Sequence, residues 1–156
     1  KTAPVTSGHN YMIANKDQGE HWEISPSVKA CAGAVASNQH GHTYHTNHCL
    51  HQNMQAIEDK KSMSSTTHAR EELLKKLFQS ISDRQSFYEV LTSHEGYPKS
   101  ICSHFENGAQ DPSFTCGGGI FDFNEQHLHF WRGCPHEDQD YKEYQFKLIN
   151  QQWVRC

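Results

Sequence analysis

A helical segment between two strand-rich stretches constrains the fold of this chain more than any other feature. Apolar side chains recur at helical spacing over residues 69–81, after a run of hydroxyl side chains at 64–67 that offers several helix caps. A second helix is predicted to begin near Asp83 and to stop before Gly96. Strands, two helices and then strands is the order of an α+β fold.

Strand patterns flank the helices on both sides. Alternating or apolar runs between turn residues predict strands at 11–13, 21–24, a segment before the turn at 38–41, 42–48, 119–123, 128–132 and 141–148. The polar stretch 52–62 has no clear period and is predicted to be a surface loop. We expect the two helices to cover one side of the sheets, and all 156 residues to form a single domain.

Composition limits the classes of function that are open to the chain. Only 35% of the residues are hydrophobic, and eight Phe, six Tyr and three Trp carry much of the apolar surface, which predicts an aromatic-rich core. The 14 basic and 18 acidic residues give a formal net charge of −4 and no basic stripe, so nucleic acid is not an expected partner. No apolar run approaches the roughly 18 to 20 residues of a membrane span, so none is expected.

Histidine is unusually frequent, with 13 copies in the chain, of which five lie within residues 40–51. Alternate side chains of a strand share a face, so His40 and His42 are weak candidates for a metal site. The same alternation groups His127 and His129, which are equally weak candidates and are expected on the solvent face of a hairpin. For both pairs, hydrogen-bonded histidines without a metal are the favoured interpretation.

Six cysteines are spread along the chain without a Cys-x-x-Cys pair, which argues against a zinc ribbon or a thioredoxin-like motif. A secreted or otherwise oxidising location is favoured, and there we expect at least one disulfide. Buried free thiols are the alternative. With so many histidines, a pairing of Cys31 or Cys49 with a histidine does not by itself indicate a nucleophile.

Four segments, in order, resemble motifs of the isopenicillin N acyltransferase family, which belongs to the N-terminal-nucleophile hydrolases. Residues 21–26 are similar to a Glu-Phe/Ile-Ser-Pro strand end, and residues 44–50 look like a Val-His-Thr-Asn-His-hydrophobic segment. Residues 64–70 resemble a serine-arginine helix start, and residues 94–102 resemble a Tyr-Pro, Ser-Ile-Cys signature. Together the four segments extend over residues 21–102, in the order that the family has them.

The resemblance implies part of a four-layer αββα fold, made as a precursor that cleaves itself before a cysteine. That cysteine would attack a small amide or thioester substrate, with its own α-amino group as the base. Asn47 matches the asparagine of the His-Thr-Asn-His motif, where its side-chain amide would donate to the developing oxyanion. His45 and His48 would shape and support the substrate pocket. No metal or organic cofactor is implied.

The nucleophilic cysteine of the family has no counterpart in this sequence. It should lie far upstream in a Gly-Cys-Thr-like segment, whereas 44 residues precede His45 and contain no such motif. We therefore expect the C-terminal chain of an autoprocessed amidohydrolase or acyltransferase, with the cysteine at the start of a second chain. The alternative is an inactive acyltransferase-like protein whose histidine-rich surface serves a structural role or binds a metal, a mineral or a protein.

Overall fold

The computed structural model describes residues 7–36, 41–59, 66–104 and 114–156. The chain divides into two compact units, Lys1–Glu71 and Glu72–Cys156. Its elements are β1 (His9–Ala14), β2 (Gln18–Ile24), β3 (Lys29–Ala36), α1 (Gln52–Gln55), α2 (Thr67–Leu77), α3 (Arg84–Leu91), β4 (Gly117–Asp122), β5 (His127–Arg132), β6 (Lys142–Ile149) and β7 (Gln152–Arg155). Two antiparallel sheets together with helices confirm the α+β class.

The sheet of the first unit is an antiparallel meander in the order β1-β2-β3. The predicted hairpin is confirmed, with Tyr11 opposite Trp22. Asn15 shapes the turn, because its Oδ1 accepts hydrogen bonds from the backbone N–H groups of Asp17 and Gln18 at 2.8 and 3.0 Å. The strand predicted before residues 38–41 is confirmed as β3.

The interior of the first unit is mainly polar. Among its described residues, the buried apolar side chains are Ala30 and Met54, and the buried polar ones are His21, Glu23, Ser25, Thr46, His48 and Thr67. Burying a polar group costs free energy unless the group is hydrogen-bonded. The stability of this unit therefore depends on how well these side chains are paired.

The prediction of a strand at residues 42–48 is wrong. Residues 41–50 have an irregular backbone, which connects β3 to α1. Four backbone N–H groups of residues 47–51 donate to the buried side chains of Thr67 and Glu23 instead of to a neighbouring strand. Side chains distant in sequence satisfy the loop backbone, so the alternating local pattern misled the prediction.

The predicted helices are both present. α2 ends at Leu77 and continues as a single 3₁₀ turn at Phe78–Ser80. α3 begins with a capping box, because the Asp83 carboxylate accepts from the Ser86 backbone at 2.7 Å while the Ser86 hydroxyl accepts from the Asp83 backbone at 3.0 Å. The hydroxyl side chains predicted to cap the first helix lie in part at residues 64–65, outside the described residues.

The loop predicted at residues 52–62 contains a short helix, α1. His51 caps this helix, since its Nδ1 accepts a hydrogen bond from the Asn53 backbone at 3.2 Å. Met54 is the one side chain of α1 that is buried. A helix of one turn with one buried apolar side chain is too short to produce a recognisable helical period, so α1 could not be predicted from the sequence pattern.

The sheet of the second unit is an antiparallel meander in the order β4-β5-β6-β7. β4, β5 and β6 confirm the three strands predicted in the last third of the chain. β7 was not predicted. It follows a two-residue turn in which Asn150 and Gln151 have φ angles of 49° and 63°. Tight hairpin turns favour positive φ angles, but glutamine is not a residue from which such a turn is predicted.

The strand β5 buries the face that carries its histidines. His127, His129 and Trp131 are buried, so the assignment of the two histidines to a solvent face is wrong. A Cβ added to Gly118, which lies opposite Trp131, would come within 2.3 Å of the indole ring. The Tyr88 ring of α3 lies over the same face, 4.9 Å from Trp131. The burial of the large Trp131 side chain determines which face of β5 is buried. His127 and His129 lie on the same face because alternate residues of a strand share a face.

The core, the cysteines and the helices bear on three further expectations. Trp131 is the one aromatic residue among the described Phe, Tyr and Trp that is buried, so the aromatic-rich core is not found there. All six cysteines are free thiols, and no disulfide is shown. Within the described ranges, none of the helices is both long and apolar enough to cross a bilayer.

Candidate functional site

The candidate site is the loop of residues 45–51, which Glu23 anchors to the first sheet. The Glu23 side chain is 2% exposed. Its Oε1 accepts from the Leu50 backbone at 2.6 Å and contacts His45 Nε2 at 3.0 Å, and its Oε2 accepts from the His51 backbone at 2.9 Å. Three donors converge on one buried carboxylate, so the loop is fixed to β2 by charge-assisted hydrogen bonds.

A second anchor comes from the start of α2. The Thr67 hydroxyl is fully buried and accepts from the backbone N–H groups of Asn47 and His48 at 2.8 and 3.1 Å. The His48 Nε2 lies 3.0 Å from the Glu71 carboxylate, one helical turn further along. The loop is therefore held on both sides of Asn47, by a strand and by a helix.

Asn47 projects from this anchored loop. Its side chain is exposed, and its Oδ1 accepts a hydrogen bond from the Arg70 guanidinium at 2.5 Å. With the acceptor end engaged, the Nδ2 amide is oriented away from Arg70 and has no hydrogen-bond partner among the described residues. A side-chain amide in this arrangement can donate to an oxygen atom of a bound molecule.

Asn47 lines a cleft of about 770 Å³ in the first unit. The other described residues of its wall include polar groups from β2 and the loop and two apolar side chains near α1, namely Glu23, His45, Cys49, Met54 and Ile57. A volume of several hundred cubic ångström with a few convergent polar groups is typical of small-molecule sites. Asn47 therefore borders a space large enough for a small ligand.

The two predicted support histidines both contact carboxylates at the base of the loop, and neither has an exposed ring. His45 contacts Glu23, and His48 contacts Glu71. The His21 ring packs edge-on against His45 with centroids 4.7 Å apart. Neither ring nitrogen of His21 has a hydrogen-bond partner in the described part of the chain, and burial lowers the pKa of this imidazole.

The thiols of the first unit are poorly suited to attack. Burial, together with the nearby Glu58 carboxylate, raises the pKa of Cys49 to about 12. A thiol with this pKa is almost entirely protonated near neutral pH, whereas the nucleophile in cysteine enzymes is the thiolate. Cys31 is exposed on β3, and its Sγ donates to the Gly33 carbonyl at 3.4 Å.

The weak metal candidates from the sequence do not come together. His42 is exposed and stacks on Tyr44, with ring centroids 5.8 Å apart, and His40 lies outside the described residues. His127 contacts the Arg84 guanidinium at 2.8 Å, and His129 lies 3.7 Å from Glu143. None of the three described histidines belongs to a group of potential metal ligands within the described ranges.

Two other groups in the first unit place metal-ligating atoms within 4.8 Å of one another. They are His21, Glu23 and His45, and His48, His68 and Glu71. The carboxylate of the first group already accepts three hydrogen bonds, which leaves it little capacity for an ion. Within these groups, the pairs His45–Glu23 and His48–Glu71 hold the loop.

Sequence reasoning missed the residues that position Asn47. Glu23, Thr67, Arg70 and Glu71 act through contacts that are about twenty or more residues apart along the chain. One signal was available for Glu23: its side chain lies on the same face of β2 as His21, and an acidic residue on a buried face needs partners.

Comparison with known proteins tests the resemblance that the motifs carry. The model of the acyl-coenzyme A:6-aminopenicillanic acid acyl-transferase family matches residues 1–134. A search among curated proteins found no match. The family match spans more than half of the chain and includes β2, the anchored loop and residues 94–102. The chain therefore belongs to the acyl-coenzyme A:6-aminopenicillanic acid acyl-transferase family.

Proposed function

We propose that this chain supplies the oxyanion-stabilising side of an N-terminal-nucleophile amidohydrolase or acyltransferase. The nucleophilic cysteine would be carried at the start of a second chain, produced when a precursor cleaves itself. The chain would then form the C-terminal part of a protein with a four-layer αββα fold. Membership of the acyltransferase family supports the general chemistry.

The observation that carries the proposal is the state of the Asn47 side chain. Arg70 occupies the Oδ1 acceptor, which leaves the Nδ2 donor available, and Asn47 lines the cleft. When a thiolate attacks an amide or thioester carbonyl, a negative charge develops on the carbonyl oxygen. A positioned amide donor stabilises that charge, and removing such a donor costs about 3 kcal/mol of transition-state stabilisation in enzymes where this has been measured.

The anchors of the loop explain how Asn47 would keep its position during a reaction. A preorganised donor needs no reorientation as charge develops, which is the source of its effect. Thr67 holds the backbone of Asn47 itself, and Glu23 holds the backbone at residues 50–51. In this proposal Glu23 and Thr67 are positioning residues, and Asn47 is the group that touches the reacting atoms.

The substrate would be a small molecule with an amide or thioester bond. The cleft is lined by both polar and apolar side chains, among them Met54 and Ile57. The attacking sulfur forms a bond to the carbonyl carbon, and the C–N or C–S bond of the substrate breaks as the leaving amine or thiol takes a proton. Water or an acceptor amine then attacks the acyl-enzyme, and the bond between the acyl carbon and the cysteine sulfur breaks. The α-amino group of the N-terminal cysteine on the second chain would accept the thiol proton and pass it to the leaving group.

Purification of the native protein tests the proposal. We expect a second polypeptide whose N-terminal residue is cysteine to copurify with this chain, as shown by intact mass and N-terminal sequencing. We expect the 156-residue chain alone to show no turnover of acyl thioesters or N-acyl amides. Thiol-dependent turnover by the isolated chain would refute the proposal, and the absence of a second chain together with no activity would favour an inactive relative.

A further inference from the structure

We propose that the second unit binds a zinc ion through the side chains of His94, Cys102, His104 and Cys134. This site is independent of the proposed function. It lies in the second unit, and none of its four side chains contributes to the loop that carries Asn47. The four residues come from two separate segments, the stretch after α3 and the turn after β5.

The four potential ligand atoms already lie close to one another. All of them are within 4.8 Å of each other. His94 Nε2 is 2.9 Å from His104 Nε2 and 3.4 Å from Cys134 Sγ. With Zn–N bonds of about 2.0 to 2.1 Å and Zn–S bonds of about 2.3 Å, the edges of a tetrahedral site measure roughly 3.3 to 3.8 Å. Small side-chain adjustments would convert the cluster into a tetrahedron.

The chemistry of the donor set favours zinc. Two thiolates and two imidazoles form a Cys₂His₂ set, which is a common set for structural zinc sites. Cys102 and Cys134 are 2% and 1% exposed, so the sulfur atoms are protected from bulk water. Two thiolates would neutralise the charge of the ion, which makes a buried position energetically acceptable.

Groups around the cluster provide the outer contacts that such sites normally have. The Glu137 carboxylate lies 3.9 Å from His94 Nδ1, the nitrogen that would not bind the ion, and 3.6 Å from His104 Nε2. A carboxylate that moved to hydrogen-bond distance of His94 Nδ1 would orient the zinc-bound imidazole and make it more basic. The His136 backbone N–H donates to Cys134 Sγ at 3.4 Å, and this contact stabilises a thiolate.

The backbone around Cys134 is shaped to present its sulfur. Gly133 has a φ angle of +82°, a conformation that side-chain-bearing residues rarely adopt. The Asp138 carboxylate accepts from the Cys134 backbone N–H at 2.6 Å, and a Cβ on Gly133 would lie 2.7 Å from the same carboxylate. The turn thus closes tightly behind Cys134, and its side chain points toward the two histidines.

Titration of the reduced full-length chain with Zn²⁺ and Co²⁺ tests the site. We expect one tightly bound zinc per chain by elemental analysis, and a thiolate-to-Co²⁺ charge-transfer band with the visible spectrum of tetrahedral cobalt. Cys102→Ser and Cys134→Ser should abolish the charge-transfer band or weaken affinity by more than about a hundredfold. Cys116→Ser is the matched control, because Cys116 is exposed in the same unit, and it should leave the spectrum unchanged.

A milder variant keeps the test valid if a serine variant fails to fold. Glu137 is 59% exposed, so Glu137→Gln should fold normally and weaken zinc affinity by roughly tenfold. The proposal is overturned if Co²⁺ gives no thiolate band with the reduced wild-type chain, or if the band survives Cys134→Ser. It is also overturned if peptide mass spectrometry of the native protein finds Cys102 and Cys134 joined by a disulfide.

Discussion

Replacing Glu23 by alanine should release the loop that carries Asn47. The change removes the acceptor of three hydrogen bonds, from the backbones of Leu50 and His51 and from the ring of His45. Hydrogen bonds to a charged group contribute about 1.5 to 3 kcal/mol each, but they are not additive. Removing one partner of a buried ionic network costs about 3 to 5 kcal/mol, and we expect Glu23→Ala to destabilise the first unit by this amount.

Hydrogen exchange of the loop amides measures this effect locally. A loss of 3 kcal/mol in the free energy of local opening corresponds to more than a hundredfold faster exchange at the backbone N–H groups of Leu50 and His51. Glu20→Ala is the matched control, since Glu20 lies on the same strand and accepts one hydrogen bond from Trp22 in a half-buried position. Equal effects of the two substitutions would refute the role given to Glu23.

Two further predictions concern a buried imidazole and a close contact. Burial lowers the pKa of His21 below the usual value of about 6.5. As the pH falls below about 6.5, the His21 imidazole therefore binds a proton in the unfolded chain before it does so in the folded chain, and the folded state loses stability. In urea unfolding at about pH 8 and about pH 5, His21→Phe should therefore reduce the loss of stability on acidification, whereas the exposed control His42→Phe should not. Gly118→Ala should cost about 1 to 3 kcal/mol in thermal unfolding because its Cβ would clash with the Trp131 ring, and Gly119→Ala, whose nearest neighbour is at 3.4 Å, should cost less.

Local sequence patterns predicted the regular elements well. The turn residues at 16–19 and the alternation in β6 each depend on neighbours along the chain, and both predictions are confirmed. The face of β5 was predicted wrongly because alternation groups residues without saying which group is buried. That choice depends on Gly118, which leaves room for Trp131 across the sheet.

The candidate site was predicted only in part. The motif of residues 44–50 led to Asn47, but the alternation of that segment suggested a strand where the structure has an irregular loop. The loop is fixed by Glu23 and Thr67, which are about twenty or more residues away along the chain. Long-range side-chain contacts of this kind leave no periodic signal. The zinc cluster was missed for the same reason, because Cys134 is far from Cys102 in sequence.

The role of Asn47 can be separated from that of a structural residue by replacing it with aspartate. Asn47→Asp keeps an oxygen for the Arg70 guanidinium but replaces the Nδ2 donor with a carboxylate oxygen. If Asn47 only anchored Arg70, this variant would be fully active. If Asn47 is an oxyanion donor, the loss of the Nδ2 donor together with the added negative charge should lower kcat by at least about a hundredfold. Asn53→Asp, at an exposed position of α1, is the control and should be unaffected.

The most direct measurement is therefore the kcat of the purified two-chain assembly with wild-type Asn47, Asn47→Ala and Asn47→Asp, at equal folded stability. If Asn47 is the oxyanion donor, both substitutions lower kcat by at least about a hundredfold, and the aspartate variant is no more active than the alanine variant. Wild-type turnover by the Asn47→Asp assembly would show that Asn47 is not an oxyanion donor.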